Sequence, residues 1–217
     1  MTVQKSQALL SRAIEGGLEF LRGIVTGAET WLYLYQPETK QQSSAWAATQ
    51  EEREAKPKQD RYCRKVMVLV FFDSEGIVYH RYLAQGQRVT TDVYVDVLKN
   101  VVDAVRKKRL EHVPRGWTLL HDNARVHTSA KVRSFIQRNN IKVLDHPAYS
   151  PDLSPCDYFL FSRLKLPLRG GRFGTCNELT HARDEALKDL SKNGYLFVLE
   201  RLRELWQLCI EKGGEYL

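Results

Sequence analysis

The sequence predicts an α/β fold, a mixed sheet flanked by helices. Three observations predict it. Two early runs, 24–35 and 65–72, are dense in β-branched and aromatic residues. One long helix follows at 91–109. After it, short apolar strands alternate with helical stretches, the order expected when a sheet is covered on its faces.

Taken in order, residues 5–23 carry Leu9, Leu10, Ala13, Ile14, Gly17, Leu18 and Leu21 at helical spacing, weakened by Gly16-Gly17. Ile24 to Tyr35 reads as the first strand. Residues 36–62 mix proline, glutamine, serine and charges without a period, and a loop that long inside a domain is functional or disordered. Lys65 to Phe72 reads as a strand buried on both faces. Asp73-Ser74-Glu75-Gly76 supplies a turn, and Ile77 to Leu83 returns as a second strand. In 91–109, Val93, Tyr94, Val97, Leu98, Val101, Val102 and Val105 make one apolar face, and Arg106-Lys107-Lys108-Arg109 suits a helix C-terminus. Trp117 to Leu120 is a short strand leading to Asp122. Thr128 and Ser129 offer caps for a helix to about Asn139. Ile141 to Leu144 is the last strand, and 156–212 reads as helices. No internal repeat is visible.

Composition bounds the function classes. A chain of 217 residues, 43% hydrophobic and 27% charged, can bury a real core and is not of disordered type. No apolar run reaches the roughly eighteen residues of a membrane span, and no signal-peptide pattern opens the chain. Cys63, Cys156, Cys176 and Cys209 lack paired spacing, which argues against a zinc site or a disulfide framework and for reduced thiols in core or neutral surface positions. The net charge of +7 is compatible with a polyanionic partner without specifying one.

Two segments carry the chemistry: His121-Asp122-Asn123-Ala124-Arg125-Val126-His127-Thr128 and Tyr149-Ser150-Pro151-Asp152-Leu153-Ser154-Pro155-Cys156-Asp157-Tyr158. Each places an aspartate just past an apolar run, with thirty-four residues between Asp122 and Asp157. Carboxylates delivered from separate elements to one place suit a two-metal phosphoryl-transfer site. An aspartate after a strand or at a helix start is also an ordinary turn or cap residue, and residue type alone does not separate the two roles.

These motifs, their order and their spacing resemble the catalytic domain of mariner-family DNA transposases, over about Phe20 to Tyr216. The resemblance implies a ribonuclease H-like fold, a single catalytic domain over 1–217, and Mg2+- or Mn2+-dependent cleavage and transfer of DNA strands. It implies Asp122 and Asp157 as metal-binding and catalytic acids. It further implies DNA as partner and substrate in place of any small molecule, action as a homodimer in the nucleus, and a clamp loop at 36–62 reaching the partner subunit.

Two departures matter. In the family's Thr-Gly-Asp-Glu-Thr-Trp motif the aspartate is replaced here by Ala28. Nothing in the sequence corresponds to the tandem helix-turn-helix modules with which family members begin, so sequence-specific recognition does not carry over. Glu29 does not replace the missing acid. Side chains alternate along a strand, so Thr26, Ala28 and Thr30 share one face while Gly27, Glu29 and Trp31 take the other. Two metals roughly 3.5–4 Å apart need a bridging ligand. Without it the site is expected to hold one ion loosely, and the domain to be inactive or severely impaired. The alternative is a domesticated DNA-binding or dimerisation scaffold without catalysis.

Arg125, Lys131, Arg163 and Lys165, with Arg133, Arg169 and Arg172, are expected either to meet DNA phosphates or to form solvated surface. Trp46, in a polar loop, either anchors the dimer clamp or packs back onto its own domain. His127 either orients a nucleotide or caps the turn that follows it, the cap being the expected role. Asp152, between Pro151 and Leu153, reads as a turn residue.

Overall fold

A computed structural model of the chain describes residues 2–34, 65–109, 116–171, 173–192 and 194–217. The segment 36–62 expected to form the clamp, which contains Trp46, lies outside the described residues, as do Cys63 and Arg172.

Helix α1 (Thr2–Arg22) is kinked at Gly17, whose φ of 57° a glycine adopts freely. Among the described residues five strands follow in chain order: β1 (Ile24–Tyr33), β2 (Lys65–Asp73), β3 (Gly76–Tyr82), β4 (Thr118–Leu120) and β5 (Lys142–Val143). They lie in the order β3-β2-β1-β4-β5, with β1 antiparallel to β2 and parallel to β4. This is the mixed, helix-flanked sheet of the ribonuclease H-like class. Helix α2 (Thr91–Lys108) connects β3 to β4, and α3 (Ala130–Arg138) connects β4 to β5. Thr90 and Ser129 cap the two helices, accepting hydrogen bonds from the Val93 and Val132 amides.

Alternation along β1 divides the core. Val25 joins Leu69, Phe71 and the apolar face of α2 on one side of the sheet. Leu32 joins Val68, Val70, Phe72, Cys156 and Leu160 on the other, with Ala28 packed against that cluster. Helix α6 (Leu196–Glu211) and α1 close over Ile24, Leu120 and Leu153 at one end. Gly27 is required by close approach. A Cβ there would lie 2.3 Å from two carbons of the Phe71 ring.

The β2–β3 turn is locked by Asp73, a fully buried carboxylate. It accepts from the Glu75 and Gly76 amides, at 2.9 and 3.1 Å. Arg109, just past α2, adds a two-pronged pair at 2.6 and 3.0 Å. Among the described residues no helix is long and apolar enough to cross a membrane.

Candidate active site

The β1–β4 pairing ends at Thr26 opposite Leu120. β1 runs on past that point, so residues 28 and 29 lie beside the loop that begins after β4. Asp122 sits at the start of that loop. Asp157 comes from a third element, the wide helical turn Cys156–Leu160, in which the Phe161 amide reaches the Cys156 carbonyl. That turn continues into α4 (Phe161–Lys165). The three positions meet. Thr26, Ala28, Glu29, His121, Asp122 and Asp157 line one cavity of about 90 Å³. The sequence thus brings two aspartates, the Glu29 carboxylate and a methyl group to one place.

His127 is the residue whose role the sequence reading missed. It does not cap a turn, since Ser129 caps α3. Its side chain is 2% exposed and lies between two carboxylates. Nδ1 donates to Asp122 Oδ1 at 2.6 Å and Nε2 to Glu29 Oε1 at 2.9 Å. Glu29 points to the face predicted for it, yet it enters the acid cluster through this imidazole. The Tyr94 ring packs on His127 with centroids 4.0 Å apart, and His121 stacks on it at 5.1 Å. The Tyr94 hydroxyl is 2.8 Å from His121 Nδ1.

The charges follow from these contacts. Burial alone would depress His127, but its hydrogen bonds to Asp122 and Glu29 outweigh that and lift it to about 9. The bond from His127 in turn holds Asp122 down at about 2. Burial, reinforced by the His127 charge, drives His121 down to about 3, so it stays neutral. Asp157 is open to solvent on one side. The part set against the protein raises its carboxyl above the ordinary range, and Asp122 adds to this.

A pH dependence follows. His127 is raised from 6.5 to about 9, so its contribution is complete below 6.5 and is lost as pH rises through 9. His121 is depressed from 6.5 to about 3, so its contribution is present above 6.5 and is lost as pH falls toward 3. Stability is therefore expected to peak near pH 6.5. The alkaline decline from His127 is on the order of 3 kcal/mol. Urea unfolding between pH 5 and 9.5 measures this. His127→Asn is expected to remove the alkaline limb, and a wild-type curve that rises from pH 7 to 9 would refute the assignment.

A pair of divalent ions does not fit this donor set. Ala28 offers no ligand, and Asp122 Oδ1 already accepts from His127 and from the Ala124 amide at 2.9 Å. Among the described residues no group of three or more histidine, cysteine, aspartate or glutamate side chains is arranged to hold a metal.

The basic residues separate. Arg125 is exposed beside Asp122. Lys131 pairs with Asp92, and Arg163 lies over the Phe159 ring at 5.6 Å. Lys165 is half-buried and donates to Thr30 Oγ1 at 2.8 Å, on the face of β1 that carries Ala28. Asp152 is a turn residue, as expected. It lies in the tight turn Pro151–Leu153 and accepts from the Leu217 amide. Cys156 and Cys209 are buried and Cys176 is half-buried.

Comparison with known proteins agrees with this geometry. Residues 36–115 match the family described as transposase (partial DDE domain). The solved catalytic domain of the Mos1 mariner transposase superposes with a TM-score of 0.81 at 30% identity, over 100% of this chain and 93% of that one. The chain belongs to the mariner transposase family. Mos1 transposase of Drosophila mauritiana is 33% identical over 200 residues, which are 91% of this chain and 57% of that protein. The chain thus spans little more than half of that relative's length. The Mos1 paired-end complex with Mn has a TM-score of 0.91 at 31% identity, covering 100% of this chain and 62% of that one. Relatives of this mariner domain have thus been solved with a divalent metal and as paired-end complexes.

Proposed function

We propose that this domain descends from a metal-dependent DNA strand-transfer enzyme and has lost, or nearly lost, strand cleavage while keeping affinity for DNA. The observation that carries this reading is Ala28 lining the same cavity as Asp122 and Asp157. In the proposed ancestry those two aspartates are the surviving metal ligands and catalytic acids. With Asp122 and Asp157 as its ligands and Glu29 held by His127, the site would hold at most one Mg2+ or Mn2+, loosely, because Mg2+ in particular keeps several of its waters. Losing the second ion forfeits several kcal/mol of transition-state stabilisation, on the order of a thousandfold or more in rate.

The chain's own residues would then bind and orient DNA without cutting it. The net charge of +7 and the exposed Arg125 and Arg163, three and six residues along the chain from Asp122 and Asp157, support backbone contacts that carry no sequence information. Nuclear location and homodimer formation belong to the same proposal, by kinship with mariner transposases. Trp46 is assigned to the dimer clamp on its sequence position alone.

A nicking assay on supercoiled DNA in Mn2+ tests the loss of cleavage. The expected result is no product above a protein-free control. Robust activity that EDTA abolishes and that Asp122→Asn removes would overturn the reading.

A further inference from the structure

We infer that Lys165 and Arg183 form a subsite for a backbone phosphate of the DNA strand that leaves the acid cavity. Lys165 touches the phosphate, and Arg183 supplies uncompensated positive charge behind it. The inference rests on the DNA-binding part of the reading above and is independent of metal and of cleavage.

Arg183, on α5 (Cys176–Leu190), is 0% exposed. Its Nη1 donates to the Leu164 carbonyl, while Nε and Nη2 are buried with no hydrogen-bond partner. That carbonyl belongs to the residue before Lys165, so the two cations are set close together. Lys165 has the Thr30 hydroxyl and, at 5.9 Å, the Phe161 ring. Neither forms an ion pair among the described residues. The nearest acid in sequence, Asp184, is held elsewhere, by the Tyr82 hydroxyl at 2.9 Å and by His80 Nε2 at 3.0 Å. Burial and the Arg183 charge lower Lys165 below the ordinary lysine range against an opposing pull from Asp157, and burial takes Arg183 down to about 10.

A buried cation without an anion is costly, and a well-packed apolar residue of similar volume generally serves the fold better. One hydrogen bond to a carbonyl does not need a guanidinium. Arg183 in that state, with the half-buried Lys165 beside it, therefore points to an anion from outside the fold. Their place says which one. Thr30 follows Ala28 by two residues on the same face of β1, about 7 Å along the strand. A DNA strand advances about 3.4 Å along its axis per nucleotide. A DNA strand running along β1 with one phosphate at the acid cavity would thus carry the phosphate about two nucleotides away past Lys165. Arg183 is covered, so it acts through the protein interior, where its field is screened less than in water.

The test is binding of a 30-bp duplex in EDTA, measured against salt concentration, with melting temperatures of each variant. Lys165→Met is expected to weaken binding several-fold and to reduce the salt slope by about one. Arg183→Met is expected to weaken binding by about three- to tenfold, with a melting temperature equal to or above wild type. Inorganic phosphate is expected to raise the melting temperature of wild type more than that of either variant. Because Arg183→Met changes a packed position, Lys165→Met stands as the independent arm.

Wild-type binding with an unchanged salt slope in Lys165→Met would overturn the subsite. So would an Arg183→Met protein that binds DNA normally, or one that melts several degrees lower. A wild-type domain that fails to bind DNA at low salt would instead remove the DNA-binding reading, and the subsite with it.

Discussion

Ala28→Asp is expected to regain Mn2+ binding, visible by calorimetry, and to raise strand cleavage by a factor on the order of a thousand or more. The register fixes why. Residue 28 pairs with Val70 and shares a cavity with Asp122 and Asp157, so an aspartate there joins two acids that are already placed. Before metal arrives the change is unfavourable. Asp157 is already raised by burial and by Asp122, with Glu29 adding to this, and a further carboxylate adds repulsion. The metal-free variant should therefore melt slightly below wild type. At a metal concentration a hundred times its Kd, binding returns about 2.7 kcal/mol, and the order should reverse. A variant that melts at or above wild type in EDTA would count against the repulsion argument. One that neither binds Mn2+ nor cleaves would favour a domain retained purely for DNA binding or dimerisation.

Arg109→Met is expected to cost about 3–5 kcal/mol of folding stability, the range for breaking one partner of a buried ion pair. The Asp73 side chain is 1% exposed and loses its guanidinium partner, keeping just the Glu75 and Gly76 amides. For a chain of this size the melting temperature should fall on the order of 10 °C. Asp73→Asn combined with Arg109→Met should recover part of the loss, because no charge is then left buried. A single-variant cost below about 1 kcal/mol would mean that water solvates this pair and that the turn is held by its backbone bonds alone.

These two cases differ in how readable they were. Ala28 was legible from the motif and from strand alternation, because the period of two fixes which residues share a face whatever the rest of the chain does. The apolar face of α2 was legible for the same kind of reason, its period being helical. The Asp73–Arg109 pair was not, since thirty-five residues separate its members and neither lies in a motif. His127 was misread because a histidine near a helix start has an ordinary local role. Nothing in its sequence neighbourhood announces that Glu29, ninety-eight positions earlier, comes within 2.9 Å. Arg183 was passed over because an arginine in a mixed helical stretch normally reaches solvent.

The sequence by itself determined the fold class, the division of β1 into two faces and the family, and it carries the proposal of which acids survive and which is gone. Those are properties of local periodicity and contiguous motifs, carried by the covalent order of residues. The tertiary structure alone decided the charge state of the site and its company. It placed His127 as a cation between two acids, kept His121 neutral beneath Tyr94, and left Lys165 and Arg183 without an ion pair among the described residues. Such outcomes depend on burial and on distances between remote segments, and both exist only after the sheet has brought those segments together.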